Sequence, residues 1–118
     1  MEKVTGIGGL FFRAENPAKL TAWYRDTLGI DSPADLVWRQ EAGPTVLAPF
    51  AKDSDYFPAD RRWMINFRVA NLDAMAAQLR RAGVVVDIAE DSDSEIGRFA
   101  RLTDPEGNPI ELWQPADR

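Results

Sequence analysis

The chain has 118 residues, 14 Lys and Arg against 19 Asp and Glu, a formal charge of −5, and neither His nor Cys. Those two zeros remove disulfides, Fe–S clusters, zinc knuckles and thiol nucleophiles, together with Ser-His-Asp triads, HExxH zinc sites and any imidazole base. The acidic balance (pI about 4.7) argues against nucleic acid, and no apolar run is long enough to span a membrane.

The length fits one domain, large enough to build a core without disulfide or metal staples. The first residues, MEKVTGIGGLFF, carry neither a long apolar region nor a small-residue cleavage site, so no signal peptide and a cytoplasmic location are expected. The catalytic menu that remains is carboxylates, hydroxyls, arginines, two tyrosines and the lysines Lys3, Lys19 and Lys52.

In chain order, Gly6-Ile7-Gly8-Gly9 leads into an apolar strand rather than a helix N-terminus, which excludes a phosphate loop. A helix follows: Asn16 is its N-cap, Pro17 takes the first position, and Leu20, Trp23, Tyr24 and Leu28 recur at helical spacing before Gly29. Trp23 and Tyr24 read as core. Strands are expected at Leu36–Gln40 and Thr45–Phe50, around the turn Ala42-Gly43-Pro44. Residues 51–62 are polar, contain Pro58 and read as a connection; Asp53–Phe57 could be a lid, with Tyr56 and Phe57 its best candidates.

The pattern then repeats. An apolar strand through Phe67 leads to Asn71 as N-cap, a stripe of Leu72, Met75, Ala76, Leu79 and Ala82, and a stop at Gly83. Val84–Ala89 is a short β-branched run, and Glu90–Glu95 lacks the glycine and spacing of a calcium loop and reads as solvated. Arg98–Thr103 and Pro109–Gln114 flank the turn Asp104–Asn108, with Pro105 at its second position. Laying Phe12 on Phe67 brings Arg13 onto Arg68, Asn16 onto Asn71, Ala22 onto Ala77 and Arg25 onto Arg80, and GPTVL (43–47) aligns with NPIEL (108–112). Each half is therefore βαβββ: residues 4–50 and 63–115 of a single domain, 1–118, joined by 51–62.

This plan, with NPAKLTAWYRDTLGI, FRVANLDAMAAQLRRAGV and LTDPEGNPIELWQP, resembles the vicinal oxygen chelate superfamily of glyoxalase I, extradiol dioxygenases and bleomycin-resistance proteins. The resemblance covers roughly residues 4–115. It implies an α+β fold in which tandem βαβββ repeats form an open, cup-shaped mixed sheet with helices on the convex side. Metal-using members hold a divalent ion in the cup from four positions, which fall here on Gly9, Val46, Met64 and Glu111. Three of these offer no ligating side chain, and one carboxylate cannot hold such an ion, so no metal and no cofactor are expected.

Alternation along the strands places further side chains on the cup face. Phe11 and Arg13 follow Gly9; Asn66 and Arg68 follow Met64; Trp113 follows Glu111. Phe99 and Arg101 join them from the preceding strand, and Trp38 and Gln40 from its counterpart in the first half. Leu10, Phe12, Ile65, Phe67, Ile110 and Leu112 then face the helices. Aromatic walls with arginine forks suit a small organic ligand that is anionic or carbonyl-bearing. For each arginine alone, an ion pair with Glu111 or a place at the sheet rim is the competing reading. Glu111 itself is expected to be a charge partner lining the cavity, and is the one candidate catalytic base.

Three functions are open. The first is a metal-independent, bleomycin-resistance-like binding protein, a homodimer by analogy. The second is a metal-free lyase or isomerase using Glu111 with an arginine, glyoxalase I or dioxygenase activity being unlikely without the ligand set. The third is a protein-interaction module.

Overall fold

Asparagines open both helices found among the described residues. In α1 (Pro17–Leu28) the Asn16 side chain accepts the Lys19 N–H at 3.1 Å, and in α2 (Leu72–Arg81) Asn71 accepts the Ala74 N–H at 3.0 Å. Each cap satisfies a donor that has no partner inside the helix. Gly29, left-handed at φ +70°, ends α1 with its N–H on the Arg25 carbonyl, and Gly83 at φ +85° follows α2 in the same way, its N–H on Arg80. The computed structural model describes residues 1–31, 36–89 and 95–116.

The strands are β1 (Ile65–Arg68), β2 (Asp87–Ile88), β3 (Gly97–Thr103) and β4 (Pro109–Pro115), in the order β1-β4-β3-β2. β1 runs parallel to β4, and β3 is antiparallel to both β4 and β2, so the fold is α+β with an open mixed sheet. One row across it, Phe67, Leu112 and Ala100, meets the apolar stripe of α2, where Leu72, Ala76 and Leu79 are buried. Tyr24 of α1 adds its ring, 6.1 Å from that of Phe67. The helix-facing assignment of Phe67, Ile110 and Leu112 is what the strand alternation requires.

The β3–β4 turn carries the most connected carboxylate among the described residues. Asp104, 4% exposed, accepts the backbone N–H groups of Glu106 and Asn108, the Asn108 side chain and the Tyr24 hydroxyl, the last at 2.7 Å. A turn residue expected to cap its own loop thereby also ties the hairpin to α1. Gly97 starts β3 at φ +129°, where a Cβ would fall 2.2 Å from the Gln114 carbonyl oxygen.

The first half differs from expectation. Among the described residues it supplies α1 but no strand: neither the segment before Asn16 nor Leu36–Gln40 nor Thr45–Phe50 enters the ladder. Leu36, at φ 62°, is out of the extended region altogether. The physical reason is pairing. Strand propensity measures fit to a half-buried pleated surface, and an isolated hairpin is marginal. Here the sheet is completed by the second half alone, and first-half side chains such as Phe11 (94% exposed) and Leu47 (85%) stand in solvent. Val84–Ala89 likewise contracts to the two paired residues of β2. The acidic residues 90–94 lie outside the described residues. No helix among the described residues is long and apolar enough to cross a membrane.

Candidate functional site

The face opposite the helices carries two cross-strand rows. In the first, Asp87 of β2 stands opposite Arg101 of β3, Arg101 opposite Glu111 of β4, and Glu111 opposite Asn66 of β1. In the second, Phe99 stands opposite Trp113 and Trp113 opposite Arg68. Six of the residues assigned to the cup by alternation, Asn66, Arg68, Phe99, Arg101, Glu111 and Trp113, are thus brought onto one face. The Phe99 and Trp113 rings lie 6.3 Å apart and nearly parallel, and the Trp113 indole N–H donates to the Ile96 carbonyl at 2.7 Å.

Glu111 is the centre of this face. It is 8% exposed, and its two carboxylate oxygens are taken by different neutral donors. Asn66 Nδ2 donates to Oε1 at 2.7 Å, and the Tyr56 hydroxyl donates to Oε2. The expected arginine partner is therefore replaced by an amide and a phenol. Hydrogen bonds to an ionised group are stronger than neutral ones and offset the lost hydration of a buried carboxylate.

Tyr56 comes from the connection 51–62, which crosses this face. A turn at Ala51–Ser54 and the Ser54 hydroxyl, accepting the Tyr56 N–H at 3.2 Å, shape its approach. Phe50 packs on Tyr56 and Phe57, with centroids 5.6 Å apart in each case. Arg101 covers the Tyr56 ring, its guanidinium carbon 4.8 Å from the centroid, while its Nη1 donates to the Tyr56 carbonyl at 2.9 Å. Partial burial, the Glu111 hydrogen bond and the Glu111 charge push the Tyr56 hydroxyl up to about 12, with Arg101 pulling the other way. Beside it a cavity of about 310 Å³ is lined by Tyr56, Phe57, Met64, Val85, Arg101 and Ile110, among others.

The remaining expected residues are elsewhere or committed elsewhere. Arg68 is on the face, but its guanidinium donates to the carbonyls of Pro44 (2.7 Å) and Glu41 (2.8 Å), holding the first-half turn against the sheet. Gly43 is what admits it, since a Cβ there would sit 2.4 Å from Arg68 Nη1. Arg13 is exposed and lines a different, more polar cleft of about 520 Å³ with Glu15, Arg61 and Glu106. That larger cleft has its groups spent on structure: the Glu106 carboxylate accepts the Glu15 N–H at 2.6 Å, and Arg61 donates to the Glu106 carbonyl at 3.1 Å. Trp38 stacks edge-on against Phe67, which faces the helices, so it does not line the Glu111 face. Phe11 and Gln40 are exposed, a consequence of the missing first-half strands that were to aim them inward. Sequence reading did not connect Tyr56 to Glu111; its only signal was two aromatics in an otherwise polar connection.

The four positions to which the superfamily resemblance assigns metal ligands do not suit an ion. Gly9 and Val46 bring no donor atom, Met64 brings a thioether suited only to soft ions, and both oxygens of Glu111 are engaged. Among the described residues no three His, Cys, Asp or Glu side chains converge.

Comparison with known proteins agrees with this fold. A sequence profile of the glyoxalase-like domain matches residues 9–113. The chain is similar to the solved structure of TnmS3, an antibiotic binding protein from Streptomyces sp. CB03234, with 25% identity, a TM-score of 0.65, and 98% of this chain and 100% of that one covered. It is also similar to a glyoxalase/bleomycin resistance protein from the same strain, with 28% identity and a TM-score of 0.53 over 85% of this chain and 92% of that one. No curated protein sequence matches it.

Proposed function

The chain belongs to the glyoxalase-like domain family, within the vicinal oxygen chelate superfamily, and from that premise we propose that it is a metal-independent binding protein for a small organic molecule held on the Glu111 face of the sheet. One observation carries the reading. Where the superfamily's metal site would lie, the single carboxylate is buried and bonded to two neutral donors, making it a hydrogen-bonding anchor rather than part of a ligand set. Around it Phe99, Trp113 and the cavity beside Tyr56 supply apolar wall, the usual make-up of an organic ligand site. The antibiotic-binding function of TnmS3 supports the same class of role. An anionic ligand loses support, because Arg13, Arg68 and Arg101 do not converge on one point.

A lyase or isomerase would need Glu111 free to take a proton and an arginine beside the reacting carbonyl. With both carboxylate oxygens engaged and Arg101 seated on Tyr56, the geometry favours binding over turnover. A homodimer belongs to the same proposal, supported by the solvent-exposed apolar side chains of the first half, which a second copy would cover.

Thermal unfolding in EDTA against a panel of aromatic antibiotics tests the reading. A ligand raises Tm by several degrees in the presence of chelator, because it binds the folded chain alone. Stabilisation that requires Mn²⁺, Ni²⁺ or Zn²⁺ and vanishes with EDTA overturns it.

A further inference from the structure

The anchor of this site is already occupied by the protein itself. Tyr56 presents an aromatic ring to the Arg101 guanidinium at 4.8 Å and a hydroxyl to the Glu111 carboxylate, so one phenol satisfies both groups at once. It is delivered by a connection without regular secondary structure, and remains 37% exposed. Lifting it would break no strand pairing, because residues 51–62 take no part in the ladder. It would merge the space under the ring with the adjoining cavity of about 310 Å³.

We propose that Tyr56 stands in for the ligand, and that the site takes a neutral aromatic compound bearing a phenolic hydroxyl, which displaces Tyr56 and hydrogen-bonds Glu111 in its place. The inference rests on the ligand-binding reading above and adds the chemical class. Each side chain argues for that class. An ionised Glu111 can only accept, so the ligand must donate, and an anion brought beside a carboxylate that is 8% exposed is repelled in a weakly screened environment. A cation would satisfy Glu111 but would face the Arg101 guanidinium, which is placed for a π face. An apolar compound would leave Oε2 of a buried carboxylate without its donor. A phenol meets all three conditions, as Tyr56 does.

Four naphthalene probes separate the possibilities: 2-naphthol, its methyl ether 2-methoxynaphthalene, 2-naphthoate and 2-naphthylmethylamine, titrated into the full chain in EDTA. The expected order puts 2-naphthol tightest by about tenfold, the value of a hydrogen bond to a charged group. Tyr56→Ala removes the competitor and tightens 2-naphthol by about fivefold or more, because apparent affinity scales with the fraction of open sites, while Glu111→Gln weakens it by about tenfold. Tyr56→Phe keeps the ring and loses the hydroxyl, so it shows the same direction of change should the alanine variant not fold. Equal or tighter binding of the ether, carboxylate or amine overturns the phenol assignment and leaves the ligand-binding reading standing. Weaker 2-naphthol binding to both Tyr56 variants makes the tyrosine part of the wall and overturns its stand-in role. Binding of none of the four, to the native chain or the variants, overturns the inference; the antibiotic panel then decides the broader reading on its own.

Discussion

Two tyrosines hydrogen-bond two buried carboxylates, Tyr24 to Asp104 and Tyr56 to Glu111, and the two pairs do different work. Asp104 collects four donors and locks α1 to the β3–β4 turn. Glu111 collects two, one of them from a segment outside the sheet. In both pairs burial first, then the hydrogen bond to the carboxylate and its negative charge, make the phenol resist ionisation. With only two tyrosines in the chain, absorbance titration resolves them. Tyr56 ionises near 12, Tyr24 later still, and Tyr56→Phe deletes the earlier step. The sign for stability follows from the raised folded value: the contribution is complete below about 10, where the unfolded phenol is also neutral, and is lost as pH rises from there towards 12. A native tyrosine titrating near 10 contradicts the Glu111 contact. That Asn66 and Glu111 share a face is legible in the sequence from strand alternation, although the residue pattern points to an arginine as the partner of Glu111. The Tyr56–Glu111 contact is not legible, because it is made through an irregular connection whose path no periodicity encodes.

The elements best encoded are those whose ends carry their own chemistry. Asn16 with Pro17, Asn71, Gly29 and the Asp104–Asn108 turn each satisfy backbone groups locally, and each is where the residue pattern puts it. The first-half strands depend on a partner edge that is distant in sequence. Their alternation is real, yet Gly9–Arg13, Leu36–Gln40 and Thr45–Phe50 stay outside the ladder, and Phe11 and Leu47 stay exposed. Arg68 shows what the sequence pattern misses at this scale. Its placement on the sheet face is as expected, but its guanidinium is used to hold the turn at Glu41–Pro44. The proposed homodimer makes a direct prediction. Light scattering on the purified chain gives twice the monomer mass, and Phe11→Glu combined with Leu47→Glu returns it to the monomer while α2 and the β3–β4 hairpin remain folded. A monodisperse monomer at high micromolar concentration contradicts the dimer.

At the scale of the molecule, the second half builds the sheet of the described residues, with one side packed on the helices, and the connection between the halves is folded across the other. On that side Tyr56 and Asn66 hydrogen-bond the Glu111 carboxylate, and Arg101 covers the Tyr56 ring. The larger cleft between Arg13 and Arg61 is the natural competitor for a ligand, so where a ligand binds is decisive. The decisive measurement is a ¹H–¹⁵N spectrum of the chain in EDTA, titrated with the tightest of the four naphthalene probes. Binding on the Glu111 face shifts the Asn66 side-chain amide and the backbone signals of Tyr56, Arg101 and Glu111, saturating together without metal. Shifts confined to Arg13, Glu15, Arg61 and Glu106, or appearing only once Zn²⁺ is added, contradict it.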